Sequence, residues 1–106
     1  MSDREYNPDL WEIVKITSPK GDYYRVLGSW YGGFAGSNSW RMSSGITEII
    51  DHDNHYEVLN ESGSTYICRK HDRGMSGYTT SIYAQYKESA RDGMDIDIVE
   101  IDEVKL

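Results

Sequence analysis

The period of the hydrophobic pattern changes late in the chain. Residues 11 to 18 (Trp-Glu-Ile-Val-Lys-Ile-Thr-Ser) and 23 to 31 (Tyr-Tyr-Arg-Val-Leu-Gly-Ser-Trp-Tyr) are rich in the β-branched and aromatic types that strands favour. Between them Pro19-Lys20-Gly21-Asp22 sets Pro early and Gly late in a turn, which predicts a hairpin. Residues 46 to 51, 55 to 60 and 64 to 70 read as three more strands, with Asp53-Asn54 and Glu61-Ser62-Gly63 between them at hairpin distance. From Thr79 to Arg91 the spacing of Ile82, Tyr83, Tyr86 and Ala90 is helical, with Thr79 or Thr80 as N-cap and Gly93 as the stop. Ile96, Ile98, Val99 and Ile101 then alternate with acids, as in a strand with one dry and one wet face. The expected fold is α+β: an antiparallel β-sheet meander of about five to six strands with one helix, in the C-terminal half, packed on one face. No segment repeats at a fixed period, so a solenoid or propeller is excluded.

At 106 residues the chain has room for a single domain, 1–106, around a small core. Leu, Ile, Val and Phe make up less than a fifth of it, close to the composition of a disordered chain. Nine Tyr and three Trp change that reading, because each ring buries a large apolar area while its polar atom stays at a wet edge. No run approaches the roughly 18 apolar residues that span a bilayer. The opening Met1-Ser2-Asp3-Arg4-Glu5 is not a secretory leader, so a cytoplasmic protein with no membrane partner is expected. Cys68 is the only cysteine, which excludes an intrachain disulfide and a Cys-based zinc cluster.

Charge is unevenly placed. The formal net charge is −7, and residues 88 to 106 hold 7 of the 18 acids against 2 bases. An acidic strand from Asp95 to Glu103 would repel phosphate backbones and attract basic partners, which argues against general nucleic-acid binding. Asp95, Asp97 and Glu100 are therefore candidates for a partner-binding patch; a solvated strand and tail is the plainer alternative.

The segment from Gly28 to Gly45 concentrates the unusual chemistry. It holds Trp30, Tyr31, Trp40, the only Phe and a large share of the glycines. Flat rings offer faces for a base or an apolar anchor, and Arg41, between Trp40 and Ser43-Ser44, is suited to gripping a phosphate or carboxylate. Trp30, Tyr31, Trp40, Arg41, Ser43 and Ser44 are accordingly the candidate ligand or partner contacts. A loop with the tryptophans as core plugs and Arg41 paired to an acid would account for the same residues without a ligand. Walker spacing is absent, and Gly32-Gly33 with Gly36 does not follow the dinucleotide fingerprint.

Other catalytic signals are sparse. Asp51-His52-Asp53-Asn54-His55 gathers metal-capable groups, but in a hairpin turn these are ordinary residues whose neighbours point to opposite faces. Cys68 and His71 lie on a stretch that does not bring them together easily, and a small buried thiol explains Cys68. No metal, no cofactor and no catalytic residue is expected.

The phrase Val26-Leu27-Gly28-Ser29-Trp30-Tyr31-Gly32-Gly33-Phe34, then Ser39-Trp40-Arg41-Met42-Ser43-Ser44-Gly45-Ile46, preceded by Asn7-Pro8-Asp9 and Trp11, resembles small accessory proteins of T-even-like tailed bacteriophages over residues 7 to 50. The resemblance implies a viral protein in the host cytoplasm that binds and neutralises a host or antiviral-defence protein, an inhibitor rather than an enzyme. The alternative is sequestration of a small nucleotide-like ligand by residues 28–45. A small hydrolase or nuclease using the His52/His55 turn stands third.

Overall fold

Alternate residues along Leu10–Ser18 enter two different hydrophobic cores, and this divides the molecule into layers. The computed structural model describes residues 4–31, 38–90 and 93–106. Among them the elements run β1 (Glu5–Tyr6), β2 (Leu10–Ser18), β3 (Gly21–Trp30), β4 (Ser39–Met42), β5 (Ile46–Asp51), β6 (His55–Asn60), β7 (Thr65–Arg69), α1 (Gly77–Ser89) and β8 (Asp95–Val99). The strands form two four-stranded sheets, β1-β7-β6-β5 and β4-β3-β2-β8. Trp11 and Ile13 of β2, with Tyr24 and Val26 of β3, meet Ile46, Val58, Tyr66 and Cys68 of the first sheet. Val14 and Leu27 face the other way and, with Ile96, are covered by Met75 and by Tyr83 of α1. The order of layers is sheet, sheet, helix, and the class is α+β.

The local predictions and the global arrangement fare differently. The β2–β3 hairpin closes at Ser18↔Gly21, where Gly21 has φ +129°, a conformation that costs glycine little. β5, β6 and β7 pair in sequence order as antiparallel neighbours. A single meander is nevertheless not what forms. β1 pairs parallel with β7 through Glu5↔Thr65 and Tyr6↔Tyr66, and β8 returns to pair with β2 from Ile13↔Val99 to Thr17↔Asp95. β4 lies inside the stretch expected to be a loop and pairs with β3 from Leu27↔Met42 to Trp30↔Ser39; Gly32 to Ser37 lie outside the described residues.

The helix starts two residues earlier than its apolar spacing suggests. Ser76 is the N-cap: its Oγ accepts from the Thr79 amide at 3.1 Å and donates to Thr79 Oγ1 at 3.0 Å, so Thr79 is a buried first-turn residue and not the cap. α1 ends at Ser89, and the expected final residue, Arg91, lies outside the described residues. β8 ends at Val99, and a 3₁₀ turn over Ile101–Glu103 follows, closed by a reciprocal capping box between Glu100 and Glu103. Instead of one dry and one wet face, β8 has apolar contacts on both: Ile96 and Ile98 pack toward the helix, Val99 toward the first sheet.

Candidate functional site

β4 is an edge strand of the second sheet, and a cleft opens on each side of it. Trp40 and Met42 belong to the helix-side core, whereas Arg41 crosses to the first sheet, its guanidinium 4.8 Å from the centre of the Tyr6 ring. The single strand therefore turns Trp40 and Arg41 toward different layers, as its period of two requires, although Arg41 and Met42 each reach the lining of both clefts.

The outer cleft lies between β3–β4 and the C-terminal half of α1 and has a volume of 630 Å³. Tyr23 and Arg25 of β3, Trp40 of β4, Tyr86 of α1 and Met94 line it. Trp40 and Tyr86 meet edge to face at 5.9 Å. Tyr86 is 45% exposed and Met94 42%, so apolar surface stays open to solvent at the rim. Arg25 stands next to Val14 in the sheet, its guanidinium 5.2 Å from the Tyr23 ring centre. Its Nε is buried without a hydrogen-bond partner, and among the described residues no carboxylate pairs with it. A desolvated guanidinium edge of this kind is costly unless something accepts from it.

The inner cleft, of 310 Å³, lies between β4 and the first sheet. Arg41, Ser43 and Ser44 line it together with Arg4, Tyr6, Ser62, Ser64 and Tyr66. Ser43 is structural: its Oγ accepts from the Val26 amide at 2.8 Å and donates to the Ser44 carbonyl, so it prolongs the β3–β4 ladder. Ser44 Oγ accepts from the Ser62 amide at 3.1 Å, which ties the β4–β5 link to the β6–β7 turn. Arg41 pairs with no acid among the described residues, contrary to the structural alternative raised for it.

Trp30 and Tyr31 belong to neither cleft. Trp30 is half-buried against Tyr6, and its Nε1 donates to the Asn7 carbonyl at 3.1 Å, a core plug of the kind that needs no ligand. Tyr31 is 56% exposed, its amide held by Asp9 Oδ2 at 2.7 Å.

The acidic candidates are already engaged. Lys87 of α1 reaches both Asp95 and Asp97, and Arg73 binds Glu100 as well as Glu12. The Ile96 amide and then Lys87 hold the Asp95 carboxyl below its ordinary value, and the bond to Asp97 chiefly holds Lys87 above its own. Lys87 Nζ and the Tyr83 hydroxyl both donate to the Ile96 carbonyl, so α1 covers the free edge of β8.

His52 and His55 stack at 4.6 Å, with His52 Nε2 on Glu57 at 2.9 Å and His55 Nδ1 on Asn54 at 2.8 Å. Among the described residues no three His, Cys, Asp or Glu side chains converge as a metal site would need. Cys68 is fully buried, and burial pushes its thiol up to about 12, away from the thiolate that nucleophilic chemistry requires.

Sequence reasoning missed Arg25, Tyr23, Tyr86 and Met94 in the outer cleft, and Arg4, Tyr6, Ser62, Ser64 and Tyr66 in the inner one. One signal was present. Tyr23, Arg25 and Leu27 share a strand face, and a cation next to apolar residues on a face that a helix covers marks a special environment.

Compared with family models, curated proteins and solved structures, the chain matches none. Its function is therefore read from its own geometry. No helix among the described residues is long and apolar enough to cross a membrane.

Proposed function

We propose that the protein is a non-catalytic binding protein whose outer cleft sequesters a small planar ligand bearing an anionic group, nucleotide-like in its chemistry. The observation that supports this most is Arg25: a guanidinium with a buried, unpartnered Nε, in a cleft walled by aromatic and thioether side chains together with Arg41 and with Asp95, whose carboxylate is held by Lys87. An anion on the ligand would accept from Arg25 in a site where the charge-assisted bond is strong. A planar ring would pack on Trp40 and Tyr86 and cover the exposed apolar rim. The volume of the cleft falls in the range of small-molecule sites. Sequestration needs no bond to be broken, and it would inhibit whatever depends on the ligand.

A host or defence protein as partner, the first expectation from the sequence, draws support from the same exposed rim of Tyr86 and Met94. It draws less from Asp95, Asp97 and Glu100, whose charges Lys87 and Arg73 offset in part. Titration of the intrinsic tryptophan fluorescence with adenosine monophosphate separates the readings. Saturable quenching that is lost in Arg25→Gln supports ligand sequestration. Absence of saturable binding by adenosine, guanosine, cytidine and uridine monophosphates would overturn it and leave a protein partner as the function of the rim.

A further inference from the structure

We propose that the inner cleft is a second binding site, which shares Arg41 and Met42 with the outer one and takes a small tetrahedral oxyanion: the phosphate or sulfate group of a compact ester. Its walls present hydrogen-bond donors that nothing in the described structure uses. Ser44, Ser62 and Ser64 share two hydroxyl–hydroxyl bonds, 3.0 Å between Ser44 and Ser62 and 3.1 Å between Ser62 and Ser64. Three protons serve two bonds, so one O–H is left over at an end of the chain. Both ends line the cleft.

With Ser44 donating to Ser62 and Ser62 to Ser64, Ser64 Oγ accepts from Ser62 and, at 3.2 Å, from Asn60 Nδ2, and its own proton is the spare one. Tyr66 supplies a second donor. Its side chain is 1% exposed and lines the cleft, and its hydroxyl makes no hydrogen bond among the described residues. Burial holds that hydroxyl well above its ordinary value, which keeps it a donor, while Arg41 pulls the other way.

Two cations complete the set. Arg41 and Arg4 line the cleft, and neither pairs with a carboxylate among the described residues. No acid lines the cleft; Glu61, the acid nearest Gly45, lies against that glycine instead. Unused hydroxyl donors and unpaired guanidinia around a cavity of 310 Å³ suit an acceptor-only group with several oxygens. The space is half that of the outer cleft, and its lining of hydroxyls and guanidinia suits a compact oxyanion where the rings and thioethers of the outer cleft suit a planar group.

Inorganic phosphate and sulfate, titrated separately into the full chain and followed through the backbone amides of Ser62, Ser64 and Tyr66 by NMR, test the assignment. Both should give saturable shifts, with dissociation constants on the order of 1 mM. Loss of one charged donor in Arg41→Gln should weaken binding about tenfold, and loss of one neutral donor in Tyr66→Phe or Ser64→Ala about threefold. Arg25→Gln should leave it unchanged. Shifts that grow linearly with concentration, that chloride reproduces at equal ionic strength, or that persist unaltered in Tyr66→Phe and Ser64→Ala would overturn the assignment. Tyr66→Phe and Ser64→Ala keep the decision available if Arg41→Gln unfolds. Because Arg25 lines only the outer cleft and Ser64 and Tyr66 only the inner one, Arg25→Gln set against Tyr66→Phe and Ser64→Ala distinguishes failure of one site from failure of the other.

Discussion

Arg41 and Arg73 are both surface-reaching arginines on this chain, and they do opposite work. Arg73 joins Glu12 and Glu100, tying β2 to the C-terminal turn, whereas Arg41 rests on the Tyr6 ring with no counter-charge among the described residues. Arg41→Ala should therefore cost no more than about 1 kcal/mol, the value of one exposed cation–π contact. Arg73→Ala should cost more, because it leaves the mostly covered Glu12 carboxylate without its partner. Urea denaturation of the two variants checks the order, and equal losses would contradict it. Asp95 supplies a pH test. Its folded pKa is depressed, so its contribution is present above the ordinary aspartate range, about pH 4, and is lost as pH falls through the lower folded value. The melting-temperature gap between the native chain and Asp95→Ala should narrow steadily below about pH 4; a constant gap down to strong acid would contradict the pairing.

At the scale of elements, pairs of neighbouring residues were easier to read than distant ones. The Pro19-to-Asp22 turn and the Glu61-to-Gly63 turn carry their own chemistry, so both hairpins were legible. β4 was not, because Ser39-Trp40-Arg41-Met42 becomes a strand only by pairing with β3, next to a Gly/Ser-rich stretch that reads as loop. The N-cap was missed because Gly77 and Tyr78 separate Ser76 from the first apolar-periodic residues, although Ser76 at three residues before Thr79 is the correct spacing. Ser76→Ala should destabilise the chain by about 1 kcal/mol, and more if the buried Thr79 hydroxyl is left without its partner. Thermal denaturation measures it, and an unchanged midpoint would contradict the capping. Lys87→Met should speed amide exchange in β8 and lower stability together, since the ammonium both bridges two aspartates and covers the strand's free edge. Exchange confined to the helix would show that the edge is held by other means. The alternating acids read as an open patch from sequence, because nothing in residues 95 to 103 reveals that Lys87 folds back over them.

For the whole molecule, the α+β class and the single helix followed from the change of period, but the second sheet did not. Ile13 and Val14 are adjacent, apolar and both fully buried, which a single sheet with one covered face cannot accommodate. That pair was the clue to two cores. The layered arrangement then decides the chemistry, since β4 stands between the layers with a cleft on each side and leaves Arg25 partly enclosed under α1. The central claim is that the cleft under α1 binds a planar anion. Its most direct test is chemical-shift mapping with adenosine monophosphate on the full chain. Binding as proposed should give saturable shifts centred on the Trp40 indole, the Tyr86 ring and the Met42 and Met94 methyls, abolished in Arg25→Gln. Saturable shifts that map elsewhere, or no saturable shifts at all, would contradict it.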